Sequence, residues 1–172
     1  MEGTREQQDA LLELLNTTPV ANGVVRDELA DPDTARSWQV AHGGNGSAEE
    51  RRHLVRARDA LQAVARGSAP AASLAPLLDG VTARPVVSPA GLSWEPAAPA
   101  ARRSAVAAVM AWGALRESMP GRLRPCANAE CRRFLLDRSR ANTARWCSMA
   151  VCGNRMKARR HHRRTRDGAG AA

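Results

Sequence analysis

The chain of 172 residues has no tyrosine and a single phenylalanine, Phe134; four tryptophans supply the rest of its aromatic surface. Platforms on which unpaired bases stack are therefore scarce, which favours duplex over single-stranded nucleic acid as a partner. No apolar run reaches the length of a membrane span, 104–115 coming nearest, so no membrane partner is expected. The first residues are polar and lack the apolar run of a signal peptide, which points to a reducing cytoplasm. H-E-x-x-H, G-x-S-x-G and Walker sequences are missing. His42 and His53 stand apart from cysteines and from paired carboxylates, so no enzyme is expected. The glycine-rich Gly43-Gly44-Asn45-Gly46-Ser47 lacks a following Lys-Ser/Thr and reads as a flexible connection rather than a phosphate cradle.

Cysteine is absent until residue 126, and then four occur in two equally spaced pairs, Cys126-x4-Cys131 and Cys147-x4-Cys152. The fifteen residues between the pairs contain no other thiol or histidine. Two short loops that each donate a pair of thiolates can close a tetrahedron around one zinc ion without a large core. Two disulfides would need an oxidising compartment, and evenly spaced knuckles suit one tetrahedral ion better than an iron–sulfur cluster. With four protein sulfurs no position is left open for water or substrate, so the zinc is expected to be structural. His161 and His162, in the arginine run beyond Cys152, are expected to meet phosphate or water instead.

The residues from Cys126 onward resemble the CGNR zinc-finger family of bacterial proteins. The resemblance rests on Cys126, Cys131, Phe134, Asp137, Ser139-Arg140, Asn142, Arg145-Trp146-Cys147-Ser148, Cys152-Gly153-Asn154-Arg155 and Lys157. It implies a C-terminal finger in a stress-responsive, DNA-binding transcription regulator.

Charge is segregated along the chain. Residues 1–120 carry 12 Arg against 14 acidic residues, net −2, whereas residues 121–172 carry 13 Arg and one Lys against three acidic residues, net +11. A local excess marks where an anion binds. Pro120-Gly121 separates the two parts. The reading is thus a helical domain over 1–120, a zinc finger over 121–166 and a flexible tail over 167–172.

Within 1–120, Thr4-x-x-Gln7 has capping-box spacing ahead of Leu11, Leu12, Leu14 and Leu15, which give a helix an apolar face. Asn22-Gly23 is a turn or loop, and Asp31-Pro32 starts a second helix. Ser47-x-x-Glu50 opens the clearest helix. There Leu54, Ala57, Leu61 and Val64 share a face, and Arg51, Arg52, Arg56, Arg58 and Arg66 cover much of the rest, read as a solvated face with a second nucleic-acid contact as the alternative. Val86-Val87 and Leu92-Ser93-Trp94 flank Ser88-Pro89-Ala90-Gly91 as a candidate hairpin. The helix expected over 102–119 puts Val106, Val109, Met110 and Gly113 on a core stripe. The order of elements, with Leu14-Leu15-Asn16-Thr17, Asp31-Pro32 and Leu54-x-x-Ala57-Arg58-x-Ala60-Leu61, resembles the ABATE domain often joined to this finger.

The fold class expected is mainly α, a helical N-terminal domain with a β-hairpin plus a small treble-clef-like finger ending in a basic helix. Ser148 is the natural N-cap of that helix, which should hold Cys152 in its first turn and run to about Arg164. Phe134, Leu135, Trp146, Val151 and Met156 should form its apolar shell. From it Arg155, Lys157, Arg159, Arg160, Arg163, Arg164 and Arg166 would meet duplex DNA. A homo-oligomer is compatible with this organisation, and the location expected is the cytoplasm, on the nucleoid. The competing reading is a zinc-stapled scaffold for protein or RNA partners.

Overall fold

A computed structural model describes residues 4–169, with side chains to residue 163. Helix α1 (Arg5–Leu15) opens on the expected capping box: Thr4 Oγ1 accepts from Gln7 N at 3.2 Å, and Gln7 Oε1 accepts from Thr4 N at 2.9 Å. Its Leu11, Leu14 and Leu15 are buried. Strands β1 (Val20–Ala21) and β2 (Val24–Val25) are joined by Asn22-Gly23, whose φ angles of 53° and 78° make the primed two-residue turn of a tight hairpin. Helix α2 (Pro32–Ala41) starts with proline at its first position and Asp31 accepting from Thr34 N at 2.8 Å.

Helix α3 (Ala48–Ala65) is capped by Ser47, which accepts from Glu50 N at 3.0 Å. Glu50 itself reaches past the cap. Its carboxylate is fully buried and accepts from Asn45 N at 2.7 Å, Gly46 N at 2.9 Å, Gln39 Nε2 at 3.1 Å and the Ser104 hydroxyl. A Cβ on Gly44 would collide with the Glu50 carboxylate and lie 2.9 Å from the backbone oxygen of Gln39, so only glycine fits. The segment 43–47 is therefore wrapped round a carboxylate and fixed by it, where the sequence reads as a loose connection.

The arginine face of α3 is also less uniform than its sequence implies. Arg58 is 2% exposed and pairs with Asp27 at 2.5 and 2.9 Å, with Asp59 at 2.9 Å and with Thr17 Oγ1 at 3.3 Å. It lies on the buried side because Asp27, brought in by the loop after β2, neutralises it there. Arg66 lies over the Phe134 ring at 4.4 Å and donates to Arg132 O at 2.8 Å. Arg52 and Arg56 are exposed as expected.

A 3₁₀ helix (Ala71–Leu77) leads to the hairpin of β3 (Thr82–Ser88) and β4 (Gly91–Ala97), antiparallel with Val87 opposite Leu92. Helix α4 (Arg103–Ser118) packs on α1 and α3. Val106 and Val109 are buried as expected, but Met110 is 42% exposed: one residue of rotation, about 100°, carries it out of the stripe. The core gathers Leu11, Leu14, Leu15, Leu54, Leu61, Leu74, Val109 and Leu115.

Strands β5 (Leu123–Pro125) and β6 (Phe134–Leu136) pair antiparallel, and α5 (Asn154–Ala169) follows a π-type turn (Met149–Gly153). Helix α5 thus passes the end near Arg164 and includes 167–169; the rest of the expected tail, 170–172, lies outside the described residues. The hydrophobic core does not stop at residue 120. Phe134 is 1% exposed and belongs to the same cluster as Leu11 and Leu61. The Asn16 side chain imitates a neighbouring strand: its Oδ1 accepts from Phe134 N at 2.7 Å and its Nδ2 donates to Phe134 O at 3.3 Å. Among the described residues, no helix is long and apolar enough to cross a membrane.

Candidate metal centre

The β5–β6 hairpin carries the first knuckle at its turn. Cys126 N donates to Arg133 O, and Cys131 N to Asn128 O, each at 2.8 Å, which folds Cys126 and Cys131 toward one point. Ala127 N donates to Arg145 O at 2.8 Å and brings the second knuckle alongside. There Ser148, as expected, is an N-cap: its Oγ accepts from Val151 N at 3.3 Å. The turn so begun is π-type, and it places Cys152 just before α5.

The four Sγ atoms lie within 4.8 Å of one another, and Cys147 Sγ is 3.7 Å from both Cys131 Sγ and Cys152 Sγ. Sulfurs at roughly 2.3 Å from a tetrahedral zinc stand about 3.8 Å apart, so the set fits the ion. The same distances are far beyond a sulfur–sulfur bond of about 2.05 Å, and all four cysteines are unpaired. Burial pushes the Cys131 and Cys147 thiols up; at Cys147 the neighbouring sulfurs push further in the same direction. Burial also raises Cys152, but the hydrogen bonds from Asn128 and the other sulfurs outweigh it and hold that thiol low. Sulfurs this crowded cannot all be thiolates unless a cation lies among them. Cys126, Cys131, Cys147 and Cys152 thus form a four-sulfur site that fits one structural Zn2+.

Around the sulfurs the polar contacts are specific. Asn128, fully buried, donates to Cys152 Sγ at 3.7 Å, and Cys147 N donates to Cys126 Sγ at 3.5 Å. Gly153 is close-packed: a Cβ there would lie 2.8 Å from Met149 Sδ and 3.4 Å from Trp146 Cδ1. Asn154 Nδ2 donates to Ala150 O at 3.2 Å, tying the π-type turn to α5. Asp137, buried beneath the loop, accepts from Ser139 N at 2.9 Å, Ala144 N at 2.7 Å and Arg124 at 2.7 Å. Hydrogen bonds from Ser139, then the Ala144 amide and Arg124, lower its carboxyl to about 2 against its burial.

The expected apolar shell is only partly there. Phe134 and Leu135 are buried, and Trp146 and Met156 half-buried, but Val151 is 56% exposed because the π-type turn swings it outward. Phe134 serves the helical core more than the metal.

Of the basic residues expected on α5, Arg155, Lys157, Arg160 and Arg163 are exposed and have no ion-pair partner among the described side chains. Arg159 is held at 2.6 Å by both oxygens of Glu130, from the first knuckle. The side chains of Arg164 and Arg166 lie outside the described residues. At about 100° per residue, Arg155, Arg159 and Arg163 share one side of the rod and Lys157 and Arg160 the other. Sequence reading passed over Arg132 and Arg133. Both are exposed, and with Arg155, Ser148 and Asn22 they line a cleft of about 650 Å³ that also includes Cys131, Cys147 and Cys152. Their position directly after Cys131 was the available signal.

Residues 122–165 match the family model of the CGNR zinc finger. No curated protein matches the chain at a significant level.

Proposed function

We propose that the chain is a DNA-binding transcription regulator without enzymatic activity, acting in the cytoplasm on the nucleoid. Its treble-clef-like finger presents α5 to duplex DNA. The observation that carries this reading is a zinc-anchored helix whose Arg155, Lys157, Arg160 and Arg163 stand exposed and unpaired among the described side chains, in the segment that concentrates the positive charge. Zinc fixes the N-terminal end of the rod through Cys152. Near that end Arg155 or Lys157, which lie on opposite sides of the rod, can meet base edges while Arg160 and Arg163 follow the phosphate backbone. Arg132 and Arg133 add positive charge at the cleft beside the metal. An ABATE-like helical domain, supported by the sequence resemblance within residues 1–120, and a stress-responsive role, supported by the resemblance of the finger, belong to the same reading.

The test uses the full, zinc-loaded chain and duplexes selected from a random pool, with fluorescence anisotropy read across salt concentration. Affinity should fall steeply with salt, log K against log salt having a slope of about −0.9 per phosphate neutralised. Replacing Arg160 and Arg163 with alanine should weaken all duplexes alike and flatten that slope. Replacing Arg155 or Lys157 should cost roughly 1–3 kcal/mol on the selected site and relax its sequence choice. Equal losses on selected and random DNA from every variant would leave the scaffold reading in its place.

A further inference from the structure

The β3–β4 hairpin is two strands of seven residues with, among the described residues, no third strand and almost no cover: apart from the half-buried Val86, every residue in it is exposed. A lone two-stranded ribbon is marginal in water unless its apolar face is packed. This one has such a face. Alternation and register put Ala83 opposite Pro96, Pro85 opposite Trp94 and Val87 opposite Leu92 on a single side. The other side carries the paired Arg84 and Glu95, 3.3 Å apart, with Ser88 and Ser93. Val87 is 82%, Leu92 63% and Trp94 51% exposed. Pro85 and Pro96 leave each outer strand without one amide donor, which suits packing through the face rather than pairing along the edge.

The same chain holds a matching receptor. At the base of the arm, Pro96 stands on the rim of an apolar groove of about 650 Å³ lined by Leu74, Leu78, Met110, Trp112 and the small Ala107 and Ala114. The arm is up to about 20 Å long, and while Pro96 lines the groove of its own chain, Val87, Leu92 and Trp94 do not.

We propose that this face pairs with a second copy of the chain, each arm lying across the groove of the other about a two-fold axis. Charge selects the second copy. The fingers, at net +11 each, repel one another, while residues 1–120, at net −2, come together almost without repulsion. The arm has no free charge to attract an acidic or basic partner, since Arg84 and Glu95 satisfy each other. The exposed parts of Val87, Leu92, Trp94 and Met110 come to on the order of 500 Å² per copy, so exchange buries about 1,000 Å² in all, the scale at which a specific interface begins. An isologous arrangement also makes one apolar pair of surfaces serve twice.

Sedimentation equilibrium of the zinc-loaded chain from about 1 to about 100 µM, a span bracketing micromolar pairing, should show a species of twice 18.4 kDa. Leu92→Glu in the arm and Met110→Lys in the groove should each weaken it at least roughly thirtyfold, while far-UV circular dichroism and zinc content stay as in the parent. Mixing the two variants should restore a heterodimer, because the glutamate arm then meets the lysine groove and the second contact is unaltered. Ala107→Lys, exposed on the same groove, replaces Met110→Lys if that variant does not fold. A parent chain that is monomeric throughout overturns the proposal. So does a dimer that survives both substitutions, or a mixture that stays monomeric.

Discussion

Removing the Phe134 ring tests whether the finger and the helices form one cooperative unit. The ring is 1% exposed among leucines of α1 and α3, and the Arg66 guanidinium lies 4.4 Å above it. Phe134→Ala keeps both bonds to Asn16, since these use the backbone of residue 134. What is lost is burial plus an unfilled cavity, about 3–5 kcal/mol, and the cation–π contact, roughly 0.5–1 kcal/mol. For a chain of this length each kcal/mol moves Tm by about 2–4 °C, so helix melting followed at 222 nm should drop by roughly 10–15 °C with zinc in excess. Zinc stoichiometry should stay at one, because all four sulfurs remain. Phe134→Leu, which keeps most of the volume, should cost less than about 1.5 kcal/mol. A shift below about 2 °C for the alanine variant would show that the helices do not depend on the ring, and the shared core would have to be abandoned.

Asn128→Ala removes the buried amide that donates to Cys152, and a competing chelator should report zinc affinity roughly 10–100-fold weaker; unchanged affinity means the contact is incidental. Glu50→Ala leaves the Asn45 and Gly46 amides buried without their acceptor and should cost about 2–4 kcal/mol in urea unfolding; a loss within the error of that measurement refutes the wrapped-loop account. Asp27→Asn should cost on the order of 1–2 kcal/mol near neutrality, Asp27 being one-third exposed. Burial raises the Asp27 carboxyl, but the hydrogen bonds and charge of Arg58 outweigh it and hold the folded value below 3.8. The contribution is therefore whole above that value and fades as pH falls through the lowered one. The gap between parent and variant should be flat from about pH 5 to 8 and narrow only in stronger acid; a gap that widens on acidification contradicts the pairing.

Sequence legibility followed the range of the interaction. The four ligands were readable because cysteine is rare here and a metal ion demands few atoms at short range. Thr4, Asp31 and Ser47 were readable as caps because a cap bonds to amides two or three residues away. The centre of the β3–β4 hairpin showed itself because Val86-Val87 and Leu92-Ser93-Trp94 flank the turn residues Ser88-Pro89-Ala90-Gly91. Arg58 was misplaced on the wet side of α3 because its partner, Asp27, lies thirty-one residues away. Glu50 had the spacing of a capping box, but nothing in that spacing says the carboxylate will be buried under a glycine loop.

By itself, then, the sequence determined the local and the coordinative: which thiolates close on zinc, where helices begin, and in which segment the positive charge collects. Only the tertiary structure decided the long-range matters. It sends Phe134 away from the metal and into the helical core, makes Asn16 a surrogate strand for β6, engages Arg159 with Glu130 and leaves an apolar arm in solvent. The division has one physical cause. Caps and ligand spacings are set within a few residues by fixed backbone geometry, whereas the burial of a ring or a charge depends on which distant segment arrives to cover it.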